Sequence, residues 1–176
     1  MIQIGTKPDS GFDDPIGMLK DCHRRIERFL EILFVVVDRA HDRALTTEEA
    51  AAVESALAYF RTGGQRHNQD EEESLFPRLR QYASGDTMTR IEALEIDHRS
   101  GDELHNLVEQ KYRSWIALGS LSSADQQQLR AATEHLKSLY QAHIAVEEEV
   151  VFPGAAKLLD SAEIRSMGEE FRLRRA

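Results

Sequence analysis

The sequence is poor in cysteine and in basic side chains, and each shortage excludes a class of protein. Cys22 is the single cysteine, which excludes a disulfide framework and any zinc or iron–sulfur site built from several thiolates. The 22 Lys and Arg are outnumbered by 31 Asp and Glu, so the formal net charge is −9. We do not expect such a chain to bind nucleic acid or an anionic membrane, because both attract a basic surface.

Long hydrophobic stretches are also missing. The longest apolar run, residues 32–37, is far shorter than the roughly 20 residues that cross a bilayer. Residues 1–14 contain neither the basic segment nor the apolar segment of a secretion signal, so we expect a cytoplasmic protein. With 176 residues, 41% hydrophobic and 30% charged, the chain has the composition of a single folded domain.

Apolar residues recur every three or four positions through most of the chain, which is the period of an amphipathic helix. The pattern predicts four long helices at about residues 15–40, 47–82, 87–118 and 123–159, and a short fifth helix at about 161–172. Capping residues precede these helices: Asp14 with Pro15, Thr46 with Glu49, Ser122 with Asp125, and Ser161. Turns are expected at residues 41–45 and 83–86, and irregularities at Gly63, Gly64 and Pro77. Short turns between long helices predict an all-α fold, an antiparallel up-down four-helix bundle over about residues 15–160 with a short C-terminal helix.

The two halves of the chain repeat each other with an offset of 75 or 76 residues. The matched pairs are His23 with His98, His67 with His143, Glu71 with Glu147, Phe76 with Phe152, and Pro77 with Pro153. Residues 71–77, EEESLFP, correspond to residues 147–153, EEEVVFP. Only two copies exist and each is long, which favours a duplicated helical hairpin over a solenoid. The two hairpins are expected to face each other across a pseudo-two-fold axis.

Each half contributes one isolated His and one His-x-x-x-Glu pattern. Residues i and i+4 of a helix share a face, so His67 and Glu71 can point at one spot. Matched distances from the turns place all four repeated His at one level, to within about a turn. Imidazole with carboxylate suits iron, manganese or zinc, and a Glu from each half can bridge two ions. The predicted metal ligands are His23, His67, Glu71, His98, His143 and Glu147.

Several acidic residues adjoin these ligands. Glu72 and Glu148 are rotated about 140° from the His of their own motif, so we expect them on a solvated face. Asp70 is expected to face solvent or to contact a ligand. Glu27 and Asp102 each lie four residues after an isolated His, and two interpretations remain equally open. They could be ligands, ligand partners or proton relays, or they could be ordinary surface acids.

The remaining unusual residues have mostly structural interpretations. His105 is expected in the core or beside a ligand rather than on a metal, and His41 and His135 are expected to be exposed. Cys22 is expected to be a small buried residue, and Tyr140 either lines the site or packs in the core. Four apolar side chains are expected above and below the metal ions, where they would exclude water: Phe60, Leu136, Phe76 and Phe152.

The six ligand positions, followed by Leu75-Phe76-Pro77, resemble a hemerythrin-type (HHE cation-binding) domain over about residues 15–160. The resemblance implies a four-helix bundle with a non-haem di-iron centre, in which Glu71 and Glu147 are the bridges. Oxygen-carrying hemerythrins have a fifth His where this sequence has Asp102, and an Asp where it has Glu148. The four-His, two-Glu pattern is more similar to the iron–sulfur cluster repair branch.

Three functions are compatible with this site. The preferred one is a di-iron protein that binds or senses a small ligand such as O₂, NO or peroxide, in stress response or iron handling. The second is an oxidoreductase that turns over NO or peroxide at the same centre. The third is a regulatory interaction module in which the metal only clamps the bundle. The ligand types alone do not distinguish iron from manganese or zinc.

Overall fold

The computed structural model describes residues 9–41, 43–82 and 85–176, and it contains no β-strand within these ranges. The helices in chain order are α1 (Pro15–Ala40), α2 (Thr47–Tyr59), α3 (Gln65–Asp70), α4 (Phe76–Tyr82), α5 (Asp86–Leu118), α6 (Ser123–Val146), α7 (Phe152–Leu158) and α8 (Ser161–Leu173). Three π-helical turns continue them: π1 (Phe60–Gly64), π2 (Glu71–Leu75) and π3 (Glu147–Val151). None of the described helices is both long and apolar enough to cross a membrane.

These elements form four arms: α1, the continuous residues 47–82, α5, and the continuous residues 123–158. The first arm packs against α2 and α6, and α5 packs against the same two helices from the other side. Each arm therefore has two neighbours, and the four enclose a shared interior. The predicted all-α, up-down four-helix bundle is confirmed. The fifth helix, α8, packs across α1 and π2.

The capping residues agree with the sequence except at α8. Three predicted caps are confirmed, at Asp14, Thr46 and Ser122. For α8 the predicted cap at Ser161 is wrong, because Ser161 is already helical and Asp160 is the capping residue. The Asp160 carboxylate accepts from the N–H groups of Ala162 and Glu163, and the Glu163 side chain accepts from the Asp160 N–H. This is a complete capping box, with an acid in the place of the usual hydroxyl.

The second arm is irregular where glycine and proline occur. Gly63 and Gly64 lie in π1, as expected, but the second irregularity precedes Pro77 rather than including it, because it is the turn π2. A proline ring clashes with the carbonyl four residues earlier and donates no hydrogen bond. The wider π turn before Pro77 accommodates both effects, and π3 stands in the same position before Pro153. The expected turn at 83–86 lies partly outside the described residues, and Asp86 already begins α5.

Two apolar clusters fill the interior, one on each side of a polar layer. The first contains Phe60 and Leu136, and the second contains Phe76 and Phe152, as expected from the sequence. Along α1, the buried His23 lies between Leu19 of the second cluster and Ile26 of the first. The other three repeated His are buried at the same level of their arms. The bundle therefore holds a layer of ionisable side chains between two apolar blocks.

Candidate metal centre

The structure brings together the six residues singled out in the sequence. They form two groups of potential metal-binding side chains that share both glutamates. The first group is His23, His67, Glu71 and Glu147, and the second group is Glu71, His98, His143 and Glu147. One donor atom from each residue lies within 4.8 Å of the other donors of its group. All six side chains are buried, the most exposed being His98 at 5%.

Glu71 directs one oxygen into each group. It is the first residue of π2, and its Oε1 lies 3.4 Å from His67 Nε2 while its Oε2 lies 3.3 Å from His98 Nε2. Two donors that each lie about 2.1 Å from one ion are about 3.0 Å apart at a right angle and about 3.4 Å apart at a tetrahedral angle. The observed separations therefore suit ligands that share an ion.

Glu147 repeats this arrangement from the other half of the chain. It is the first residue of π3, with Oε2 3.1 Å from His23 Nε2 and Oε1 3.2 Å from His143 Nε2. In the second group, the Nε2 atoms of His98 and His143 face each other at 3.2 Å. The two carboxylates thus stand between two pairs of imidazoles, which is the position of a carboxylate that bridges two ions.

Most of the donor atoms are left without a hydrogen-bond partner among the described residues. Both oxygens of Glu71, both oxygens of Glu147 and the Nε2 of His23 are buried with no hydrogen bond to the part of the chain that is described. Burial, and then the negative charge of Glu147, raise the pKa of Glu71 well above its ordinary range. Burying unpaired polar groups and adjacent carboxylates is costly, unless protons or cations compensate them. The residues present therefore fit divalent cations.

The imidazole of His67 is in the protonation state that metal binding needs. Burial, and next the neighbouring His23, lower the pKa of His67 well below its usual value. A neutral imidazole keeps the Nε2 lone pair that a metal ion takes. Because the four Nε2 atoms point into the two groups, the Nδ1 atoms are left to interact with other residues.

Two glutamates hold the Nδ1 atoms of the isolated His. His98 Nδ1 lies 2.7 Å from Glu72 Oε1, and His23 Nδ1 lies 2.8 Å from Glu148 Oε1. With Nε2 facing the site, each Nδ1–H donates to the carboxylate, and this hydrogen bond lowers the pKa of Glu72. The prediction that Glu72 and Glu148 only face solvent is therefore wrong. Such carboxylate partners orient a ligand His and raise its basicity.

The error has a geometric cause. Glu72 follows Glu71 by one residue, so it is rotated by about 100° around the helix and points along the side of the arm. It therefore faces away from its own motif but towards the next arm, where α5 presents His98. The doubled Glu that follows each His-x-x-x-Glu motif in both halves was the available signal, but it becomes meaningful only once the neighbouring arm is known.

The other two imidazoles are held less firmly. His143 Nδ1 lies 3.3 Å from the half-exposed carboxylate of Asp97. His67 Nδ1 is buried and has no hydrogen-bond partner within residues 9–41, 43–82 and 85–176. The repeat matches Asp97 with Cys22, since each directly precedes the isolated His of its half. The matched position thus carries a carboxylate in one half and a thiol in the other.

Asp70, directly before Glu71, is anchored by the C-terminal end of the chain. It is fully buried, which excludes the solvent-facing alternative. Arg174 Nη1 donates to its Oδ1 at 2.8 Å, and Arg175 Nη2 donates to its Oδ2 at 2.5 Å. A second Arg174 nitrogen donates to Ser74 Oγ at 2.6 Å. The residues that follow α8 therefore bind the turn π2 on which Glu71 stands.

Glu27 and Asp102 belong to neither group. Both are exposed, and Glu27 lies 3.4 Å from Arg24 in a surface ion pair. Asp102 lines a polar groove of about 440 Å³ between α3 and α5, together with Glu72 and His98. Of the two open interpretations, the structure favours surface acids, with Asp102 at the edge of a groove that reaches a candidate ligand.

The remaining His and Cys22 lie where the sequence placed them. His41 and His135 are exposed, and Cys22 is buried. His105 stays outside both groups, and its Nε2 lies 3.2 Å from Tyr140 Oη. Tyr140 is buried in the first apolar cluster.

Fold and site together define a four-helix bundle with a duplicated set of candidate His and Glu ligands. Residues 14–155 match the family described as hemerythrin HHE cation binding domain, and the chain belongs to that family. It is also 30% identical over 165 residues to an uncharacterized protein of Haemophilus influenzae, which covers 93% of this chain and 91% of that protein. The family resemblance is confirmed and identifies a metal-binding protein, whereas the iron–sulfur cluster repair branch stays a prediction.

Proposed function

We propose that the chain binds a pair of iron ions through His23, His67, Glu71, His98, His143 and Glu147, and that the pair binds or senses a small ligand. The observation that carries the proposal is the position of the two glutamates, each of which directs one oxygen into each group of donors. Each ion would then take two imidazoles and one oxygen from each glutamate. The buried donor atoms without protein partners support the same assignment.

Iron is proposed because of the ligand types and their number. Non-haem iron is typically held by imidazole and carboxylate with positions left open for exogenous ligands. Four protein donors per ion leave such positions. Copper and zinc bind more tightly in general, so availability in the cell contributes to the choice, and manganese or zinc would use the same residues.

The ligand is proposed to be O₂, NO or peroxide. Iron in such a site supplies a coordination position and a change of oxidation state, and the chain supplies the surroundings. Glu72 and Glu148 orient two imidazoles, and the apolar clusters on both sides limit water. The groove between α3 and α5 reaches His98 and Glu72 and offers a polar approach for a small molecule.

Metal analysis tests the ion pair. Protein purified without oxygen and loaded with Fe(II) is expected to hold two ions per chain. His67→Ala and Glu147→Ala are each expected to lose both ions together, because bridged ions share ligands. His135→Ala, an exposed His outside both groups, is the matched control and is expected to keep both. Loss of a single ion in Glu147→Ala, or unchanged metal content in both variants, would contradict the bridged pair.

Optical and Mössbauer spectra of the loaded protein test the ligand. New bands on addition of O₂, NO or peroxide are expected if positions remain open. Continued consumption of NO or peroxide in the presence of a reductant would identify turnover rather than binding. A spectrum that none of the three ligands changes would contradict the ligand part of the proposal, and lower stability on metal removal would then identify a structural clamp.

A further inference from the structure

A tyrosine–histidine pair lies beside the candidate metal centre, with Tyr140 buried and His105 partly buried. Tyr140 precedes His143 by one helical turn on α6, and the centres of their rings are 6.2 Å apart. On its other side, Tyr140 Oη lies 3.2 Å from His105 Nε2 on α5. The phenol therefore stands between a candidate ligand and a second, non-ligating imidazole.

Packing alone does not account for this pair. Tyr140 belongs to an apolar cluster, and the ring of Phe60 lies 4.2 Å from that of His105. Burying a hydroxyl and an imidazole together restores at most the hydrogen bond that each had with water. Two apolar side chains of the same shape are typically as stable or more stable. The pair thus places a phenol in an apolar cluster and a base at the edge of that cluster.

The geometry provides a proton acceptor for the phenol. Burial lowers the pKa of His105 to about 4, so its imidazole is neutral and one ring nitrogen carries a lone pair. With Nδ1 protonated, Nε2 accepts the hydrogen bond that Tyr140 Oη donates. Burial also raises the pKa of Tyr140, so the phenol does not ionise by itself at neutral pH. A proton leaves it most easily along the existing hydrogen bond to His105.

We propose that Tyr140 is a one-electron donor to the metal centre and that His105 takes up its proton. The bound metal would supply the oxidant: after its oxidation by dioxygen or peroxide, it would accept one electron from the phenol of Tyr140. The phenolic O–H bond breaks, the proton moves to His105 Nε2, and a neutral phenoxyl radical and an imidazolium remain. A one-electron reductant and return of the proton restore both side chains. This inference rests on the proposed iron site.

Electron paramagnetic resonance of rapidly frozen protein tests the pair. Protein loaded with Fe(II) and mixed with peroxide is expected to give an organic radical signal, which narrows when the protein contains ring-deuterated tyrosine. Tyr140→Phe is expected to abolish the signal. His105→Leu is expected to slow its formation, because Tyr140 then lacks a base. Tyr82→Phe removes an exposed tyrosine far from the centre and is expected to leave the signal unchanged.

The outcomes distinguish a failure of the proposal for Tyr140 and His105 from a failure of the proposed iron site. Metal content and the optical change on peroxide addition are measured on the same samples. A chain that binds no iron overturns the proposed function and this inference with it. If peroxide does not oxidise the bound iron, this inference is overturned, whereas the proposed function is still tested by the response to O₂ and NO. Oxidised iron with no radical in the wild type, or with a signal that persists in Tyr140→Phe, overturns the redox role of Tyr140 alone. The deuterium experiment needs no variant: a signal that ring deuteration leaves unchanged does not come from a tyrosine, and it overturns the role of Tyr140 even if a substitution disturbs the fold.

Discussion

The two halves of the chain present the same ligands but surround them differently. In both, a Glu ligand candidate begins a π turn that precedes a Phe-Pro pair, and the following Glu binds an imidazole of the other half. The residue before that Glu ligand is Asp70 in the first half and Val146 in the second. Only Asp70 is bound by the arginines that follow α8.

The two halves differ in the residues around the candidate ligands, whereas the candidate ligands themselves are the same. The first half also contains π1, where Gly63 leaves room for the ring of Tyr59. A Cβ at this glycine would meet that ring at 2.6 Å. Tyr59 uses this room to donate to the carbonyl of Cys22. The two halves thus share the geometry of the two carboxylates and differ in the contacts around them.

The largest expected effect is on stability, and it comes from the two arginines that bind Asp70 in the first half. Arg174→Ala combined with Arg175→Ala leaves the carboxylate of Asp70 buried without a cation. We expect the free energy of unfolding to fall by about 3–5 kcal/mol, the usual cost of removing one partner of a buried ion pair. Urea unfolding of the metal-free protein measures it.

Arg172→Ala is the matched control, since Arg172 pairs with Glu169 on the exposed side of α8. Its expected cost is below about 1 kcal/mol. Equal losses in the double variant and in this control would show that Asp70 does not depend on the arginines.

The next largest effect is expected at Glu72 and Glu148, which make equivalent contacts in the two halves. Glu72→Gln and Glu148→Gln each remove the carboxylate that orients an imidazole of the opposite half. Metal affinity is expected to fall by about 10–100-fold in each variant, as for other partners of ligand His. Competition titrations against a chelator measure it, with the exposed Glu149 changed to Gln as the control. A loss of metal affinity in only one of the two variants would show that Glu72 and Glu148 do not have equivalent roles.

A smaller effect is expected at the position where the halves differ. Asp97→Asn weakens a 3.3 Å contact to His143 that is open to solvent, so we expect metal affinity to fall by less than about tenfold. Cys22→Ala, at the matched position, is expected to leave affinity unchanged, because His67 Nδ1 has no partner to lose. The same competition titration compares the two variants. A larger loss of metal affinity in Cys22→Ala than in Asp97→Asn would contradict this prediction.

The six candidate ligands could be singled out from the sequence because their placement depends on local spacing. The i, i+4 spacing of His67 and Glu71, and helices of similar length, determine which face and which level each ligand occupies. Glu72 was misjudged because its role depends on the adjacent arm. Asp70 was incompletely understood because its partners lie about a hundred residues later in the chain. Spacing within one helix contains no information about either contact.

The distinction between the π turns and ordinary helix was also beyond the sequence. Pro77 and the Gly63–Gly64 pair indicated irregularity, but not the kind of turn or that Glu71 would begin one. Similarly, Ser161 and Asp160 are both good capping residues. The choice between them depends on where the chain leaves α7, which is set by packing of the bundle.

The arginines after α8 have a consequence for where this protein can be cut. The match to the family ends at residue 155, so Arg174 and Arg175 lie outside the matched region. A fragment trimmed to that region would keep every candidate ligand but lose the counter-charges of Asp70, next to Glu71. A shortened version of the protein made for biophysical work must therefore include Arg174 and Arg175.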